Sequence, residues 1–153
     1  MTRVHVPITL RWSDLDAYGH LNNARLLTLL EEARIEVFWP GRSGAAESLP
    51  EMHMDEGTLS LIARQEVEYL APVPHLREPL DIQLWLGSIG GASLEIHYEV
   101  HAPLGAEGDV LFARAATTLV MVDAQTGRPR RISPRERALW EPYQEAPLDF
   151  RRR

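Results

Sequence analysis

The chain has 153 residues, 44% hydrophobic and 7% aromatic, so a single globular domain spanning 1–153 is expected. A net charge of -6 argues against a phosphate-tracking nucleic-acid binder, and the basic run at 151–153 reads as a solvated tail. Absence of cysteine excludes disulfides and thiolate chemistry, no apolar run approaches the roughly 18 residues of a membrane span, and MTRVHVPITL lacks a signal-peptide core, so a cytoplasmic protein is expected.

Residues 4–12 (VHVPITLRW) are rich in β-formers and predict a first strand ending near Trp12, with Pro7 at an edge or strand start. The stretch SDLDAYGH then turns at Gly19, and a helix is expected from about Asn22 to Trp39. At a period of about 3.6 residues, Leu26, Leu30, Ala33 and Val37 centre one face, flanked by Leu27, Arg34 and Phe38. Leu29 and Ile35 widen the apolar stripe beyond that of a surface helix, which predicts a core helix covered on more than one side. Asn22 and Asn23 suit its N-terminus, and Pro40-Gly41 stops it. A helix start offers unpaired N–H groups and the positive end of the dipole, so a carbonyl oxygen gaining negative charge can be held there.

Residues 41–57 show no sustained period and predict a loop, with Met52 and Met54 available to a ligand or partner. From Thr58 the period becomes two. Leu59, Leu61, Ala63, Val67 and Tyr69 are expected to share one face; Leu80, Ile82, Leu84 and Leu86 another; and Leu94, Ile96, Tyr98 and Val100 a third. Glu95, His97, Glu99 and His101 are then expected on a solvated face. The two histidines, four apart on a strand, stand about 13 Å apart, too far to share a metal ion. Gly87, Gly90 and Gly91 read as turn glycines, with Gly90-Gly91 marking a hairpin. Arg64 is expected to pair with Glu66 or Glu68.

The last strand, residues 110–123, is apolar or small on both faces and suits a central strand or one covered by a second subunit. Ser133 and Pro134 then open a short helix that ends before Pro142. Such an order predicts an α+β fold in which an antiparallel sheet wraps one long central helix.

The segment RWSDLDAYGHLNN, followed by LLEEAR, EVEYLAPV and TTLVMVDAQTGRP, resembles the hotdog-fold acyl-CoA thioesterases of the 4-hydroxybenzoyl-CoA thioesterase and YbgC-like group. Its D-x-D-x-x-G-H-x-N-N form is also similar to the corresponding stretch of plant acyl-ACP thioesterases. The resemblance runs from about Pro7 to Trp140 and implies hydrolysis of an acyl-CoA or acyl-carrier thioester to a free acid and thiol. It implies Asp16 as general base or nucleophile and the backbone amide at about Asn23 as the group that polarises the carbonyl. His20 matches the histidine of the acyl-ACP type, whereas Asn23 stands where YbgC-like members carry a histidine. The resemblance further implies a homodimer or homotetramer, and neither a metal nor another cofactor. Asp14 is expected to fix the turn. Two alternative readings stand beside it: a non-catalytic acyl-CoA or acyl-carrier binding module that uses the same groove, and a hotdog dehydratase in which His20 and Asp16 form the acid–base pair.

Overall fold

The computed structural model describes residues 3–38 and 57–151. The elements are β1 (Val4–Ile8), α1 (Asn23–Phe38), β2 (Thr58–Tyr69), β3 (Leu80–Ile89), β4 (Ser93–His101), β5 (Leu111–Asp123) and α2 (Pro134–Trp140), with 3-10 turns at Trp12–Asp14 and Glu141–Tyr143. The first strand is therefore shorter than expected, and Trp12 opens a turn. The expected helix end at Trp39 and the loop from 41, with Met52 and Met54, lie outside the described residues.

The five strands form one antiparallel sheet in the order β1-β3-β4-β5-β2. Its inner face carries Leu80, Ile82, Leu84 and Leu86 of β3 and Leu94, Ile96, Tyr98 and Val100 of β4, all fully buried, and α1 lies against β1 and β3. Leu26, Leu29, Leu30, Ala33, Val37 and Phe38 supply the helix side of this core. Arg34 is buried too; one guanidinium nitrogen donates to the Tyr98 hydroxyl at 3.1 Å and another pairs with Glu31 at 3.6 Å. At 16 residues α1 is of ordinary length rather than long. The two-sided apolar strand is explained by β5 lying between β4 and β2. As expected, α2 starts at Ser133, whose hydroxyl accepts from the Glu136 N–H while the Glu136 carboxylate accepts from the Ser133 N–H, both at 3.1 Å.

Three strand expectations are corrected. In β2 the register shifts between Ile62 and Arg64, with Ile62 opposite Leu119 and Arg64 opposite Thr118, so Ala63 is an extra residue. The bulge puts Leu59 and Leu61 on the outer face, away from Val67 and Tyr69, with which they were expected to align. Both leucines are exposed. Arg64 does pair with Glu66, at 3.2 Å along the same strand.

Gly87 lies inside β3 rather than in a turn. A Cβ there would overlap the His97 ring, so the glycine gives that ring its place across the strand pair. His97 itself is 1% exposed, not solvated. It stacks on Trp85 with centroids 5.8 Å apart and pairs through Nε2 with Glu95 at 2.5 Å.

The cover over His97 is the C-terminal segment 144–151, which crosses the outer face strand by strand. The Glu145 N–H donates to Leu86 O on β3 at 2.9 Å, and Trp85 Nε1 donates to Ala146 O at 3.1 Å. On β4, His97 Nδ1 accepts from the Leu148 N–H at 3.2 Å. Arg114 of β5 donates to Asp149 O at 3.3 Å, and on β2 Glu68 accepts from the Arg151 N–H at 2.7 Å. Arg3 joins this layer by pairing with Glu99 and Glu145, each at 2.6 Å.

Candidate active site

The turn before α1 is built from its own short side chains. Asp14 is fully buried; one of its oxygens accepts from the Arg11 N–H at 2.8 Å and the other from the Arg11 guanidinium at 2.9 Å. Burial works to raise the Asp14 carboxyl, but the contacts with Arg11 outweigh it and hold the group below the ordinary aspartate value. With its carbonyl accepting from the Asn22 N–H at 2.8 Å, Asp14 braces the turn, as its expected role requires.

Asp16 is half-buried two residues later. Its Oδ1 accepts from the Tyr18 N–H at 2.8 Å and the His20 N–H at 3.2 Å, while Oδ2 has no protein donor among the described residues. The Asp16 N–H donates to His20 O at 2.7 Å, and Gly19, at φ 78°, supplies the left-handed residue that lets the turn close so tightly. His20 bridges to Pro74, and the Leu21 N–H donates to Val73 O at 2.9 Å. The segment leaving β2 is thereby docked on the aspartate turn.

Asn22 caps the helix. Its Oδ1 accepts from the Ala24 N–H at 2.9 Å and the Arg25 N–H at 3.2 Å, and its carbonyl accepts from the Leu26 N–H at 3.1 Å. The Asn23 side chain also accepts from Ala24, at 2.9 Å. The Asn23 N–H is left with no acceptor among the described residues, at the positive end of the helix dipole.

Asn23 borders a cleft of about 350 Å³ whose walls include Leu21, Leu26, Val73, Phe112 and Ala113, with Asn23 and Tyr69 as its polar residues. Of the three residues expected at the site, Asn23 borders the cleft, whereas Asp16 and His20 sit on the turn that leads into its wall residue Leu21. Tyr69 went unrecognised in the sequence as a site residue. Its hydroxyl donates to the Asn23 carbonyl at 2.8 Å, and its only signal is its place in EVEYLAPV, just where β2 ends. The arrangement offers an apolar slot bordered by a residue whose N–H has no acceptor among the described residues, and on the adjoining turn a carboxylate with one oxygen free of any donor among them.

β2 is an edge strand, and Leu59, Leu61, Ile62 and Tyr69 are exposed along it, with Leu70 exposed just beyond its end. No helix among the described residues is long and apolar enough to cross a membrane.

Comparison with known proteins places this geometry. Residues 10–140 match the thioesterase-like superfamily. The uncharacterised Bacillus subtilis protein YsmA is 30% identical over 123 residues, covering 79% of this chain and 74% of that protein. Among solved structures, a Thermus thermophilus thioesterase complexed with coenzyme A and zinc is 28% identical, with a TM-score of 0.70 over 95% of this chain and 96% of its own. A predicted thioesterase from Bacillus stearothermophilus is 25% identical, with a TM-score of 0.74 over 96% of this chain and all of its own. An antiparallel sheet curled on one helix, the aspartate turn at the helix mouth and these relationships converge: the chain belongs to the thioesterase-like superfamily and is a thioester hydrolase with the hotdog fold.

Proposed function

We propose that this enzyme hydrolyses an acyl-CoA thioester, with Asp16 as general base or nucleophile and the Asn23 N–H polarising the carbonyl. The observation that carries this reading is the open Asn23 amide at the border of an apolar cleft, one short turn from the Asp16 carboxylate. The acyl group occupies the cleft with its thioester oxygen at that amide. Asp16 Oδ2 removes a proton from water as the water oxygen bonds to the carbonyl carbon, and the helix start holds the developing oxyanion. Collapse breaks the C–S bond, and the thiolate leaves with the proton returned from Asp16. In the nucleophilic variant Oδ2 attacks the carbon itself, the C–S bond breaks to release the thiolate and leave a mixed anhydride on Asp16, and water then cleaves that anhydride to the acid and the free carboxylate. His20 lies within the same turn and is the candidate for a second acid–base group. Coenzyme A in the similar Thermus structure supports a CoA thioester over other thioesters. Such a substrate goes with a cytoplasmic site of action, and one domain over 1–153 carries the reaction.

The exposed hydrophobic residues and unpaired backbone edge of β2 support a homodimer formed by antiparallel pairing of two β2 strands, to which a tetramer could be added through other surfaces. In that dimer the partner strand lies beside Tyr69 and completes the wall of the cleft.

The test is thiol release from short, long and aromatic acyl-CoAs by the wild type and by Asp16→Asn and Asp16→Ala, with folding matched by circular dichroism. Loss of about a hundredfold or more in kcat is expected for both variants. Full activity in Asp16→Asn would remove the aspartate from the mechanism. Acyl-CoA binding with no turnover in the wild type would leave a binding module, and loss of water from the acyl chain without thiol release would identify a dehydratase.

A further inference from the structure

We infer that Tyr69 is a positioning residue for the hydrolysis: through its hydrogen bond to the Asn23 carbonyl it holds the first turn of α1 so that the Asn23 N–H faces the cleft. The inference rests on the reading of Asn23 as the carbonyl-polarising amide. Tyr69 and Asn23 are 46 residues apart, and their hydrogen bond at 2.8 Å is the one tie between a strand side chain and that first turn among the described residues.

The strand end of the tie is anchored, and the helix end is capped locally. On the strand side, Tyr69 is in register with Ala113, and the next two amides, of Leu70 and Ala71, both donate to Phe112 O, at 2.8 and 3.1 Å. The ring therefore projects from anchored backbone. On the helix side, the N–H groups of Ala24, Arg25 and Leu26 are all satisfied by Asn22 and Asn23, so the first turn is capped but its rotation relative to the sheet is not set by those local bonds. Core packing of Leu26, Leu29 and Leu30 seats the helix without directing its first peptide group, and a donor reaching the Asn23 carbonyl from the sheet adds that directional restraint. An oxyanion donor is worth most when its direction is fixed before the charge develops, since reorientation then costs nothing during reaction.

The hydroxyl proton is committed to the Asn23 carbonyl, which separates this role from proton donation to substrate. Burial also raises the Tyr69 hydroxyl above its ordinary value, so it stays a donor throughout the neutral range. The ring remains part of the cleft wall in either case. Removing only the oxygen isolates the tie.

The experiment compares wild type with Tyr69→Phe by steady-state hydrolysis of the preferred acyl-CoA across pH and by amide hydrogen exchange of the first turn of α1. Expected are a fall of about threefold to tenfold in kcat, the effect of one hydrogen bond; a KM within about twofold, because the ring is kept; an unchanged shape of the pH profile; and faster exchange at residues 24–26. An unchanged kcat overturns the inference, as does a reduced kcat with unaltered exchange, which would mean that the hydroxyl acts on substrate directly. Loss of one limb of the pH profile also overturns it, since the hydroxyl would then be an acid or base. If the wild type releases thiol from no acyl-CoA, the hydrolase reading fails by itself; unchanged exchange in Tyr69→Phe then overturns the restraint as well, and faster exchange upholds it.

Discussion

On the inner face of the sheet, eight alternating residues of β3 and β4, from Leu80 to Val100, are sealed by one apolar helix. On the outer face of the same two strands, Trp85 and His97 are covered by an irregular segment that arrives after every regular element has been laid down, and Arg3 links that segment to Glu99 through Glu145. The first cover works by shape and area, with little dependence on direction. The second works through individually directed bonds: an indole N–H to a carbonyl, an amide N–H to an imidazole, an arginine between two carboxylates. An apolar face tolerates a change in how it is covered, whereas a polar face must find each partner or lose the cost of drying it.

That contrast can be broken by substitution. Leu84→Ala, at the centre of the inner face, is expected to cost about 2–5 kcal/mol, read as a loss in chemical unfolding free energy. Ending the chain after Tyr143 removes the outer cover, and a smaller loss of about 2 kcal/mol is expected from the net value of the bonds it makes. Trp85 emission should shift to longer wavelength in that variant, and a truncation more damaging than Leu84→Ala would reverse the ranking of the two faces. Gly87→Ala forces the His97 ring aside and should cost about 1–2 kcal/mol, while Gly91→Ala, which meets open space, should stay within about 0.5 kcal/mol.

The smallest expected effects are those of pH, and they have opposite signs on one strand. Burial disfavours the imidazolium at both His97 and His101. At His97 it prevails over Glu95 and lowers the ring below its ordinary value; Nδ1 accepts the Leu148 N–H, so the proton sits on Nε2. At His101, contacts with Glu99 and Asp109, each at 2.9 Å, outweigh burial and raise it. The unfolded chain binds a proton at His97 more readily than the folded one, so this contribution is complete above about pH 6.5 and is lost as pH falls below it. The contribution of His101 is complete below about pH 6.5 and is lost as pH rises through its elevated value. Thermal melts of His97→Gln and His101→Gln between pH 5 and 8 should flatten the acid and the alkaline side respectively. The same side flattening in both would refute the assignment.

The parts of this molecule that could be read from sequence are those whose cause is local. Alternation in β3 and β4 announced the inner face because each buried residue sits two places from the next, and the aspartate turn was legible because the side chains of Asp14, Asp16 and Asn22 each accept from a backbone N–H two or three residues away. The fold class followed from that alternation and the wide stripe of α1. What escaped depends on distant chain. His97 looked solvent-facing because its cover lies 51 residues later in a stretch without period. Tyr69 reads as one more strand residue until Asn23, 46 positions away, is found at its hydroxyl. The bulge in β2 left no mark, since LSLIARQEVEY keeps its apparent parity straight through Ala63.

That bulge also bears on how the chain tolerates changes in length. Counting outward from the shift, Ile62 faces inward opposite Leu119 and Arg64 outward opposite Thr118, so the strand alternates perfectly once Ala63 is left out. A single-codon deletion at this position would join two halves already in phase, whereas the same deletion anywhere in β4 would transfer every later side chain to the opposite face. Related chains that lack the residue would thus keep the same surface and the same cleft, and an alignment of β2 made on hydrophobic pattern alone would be out by one on one side of it.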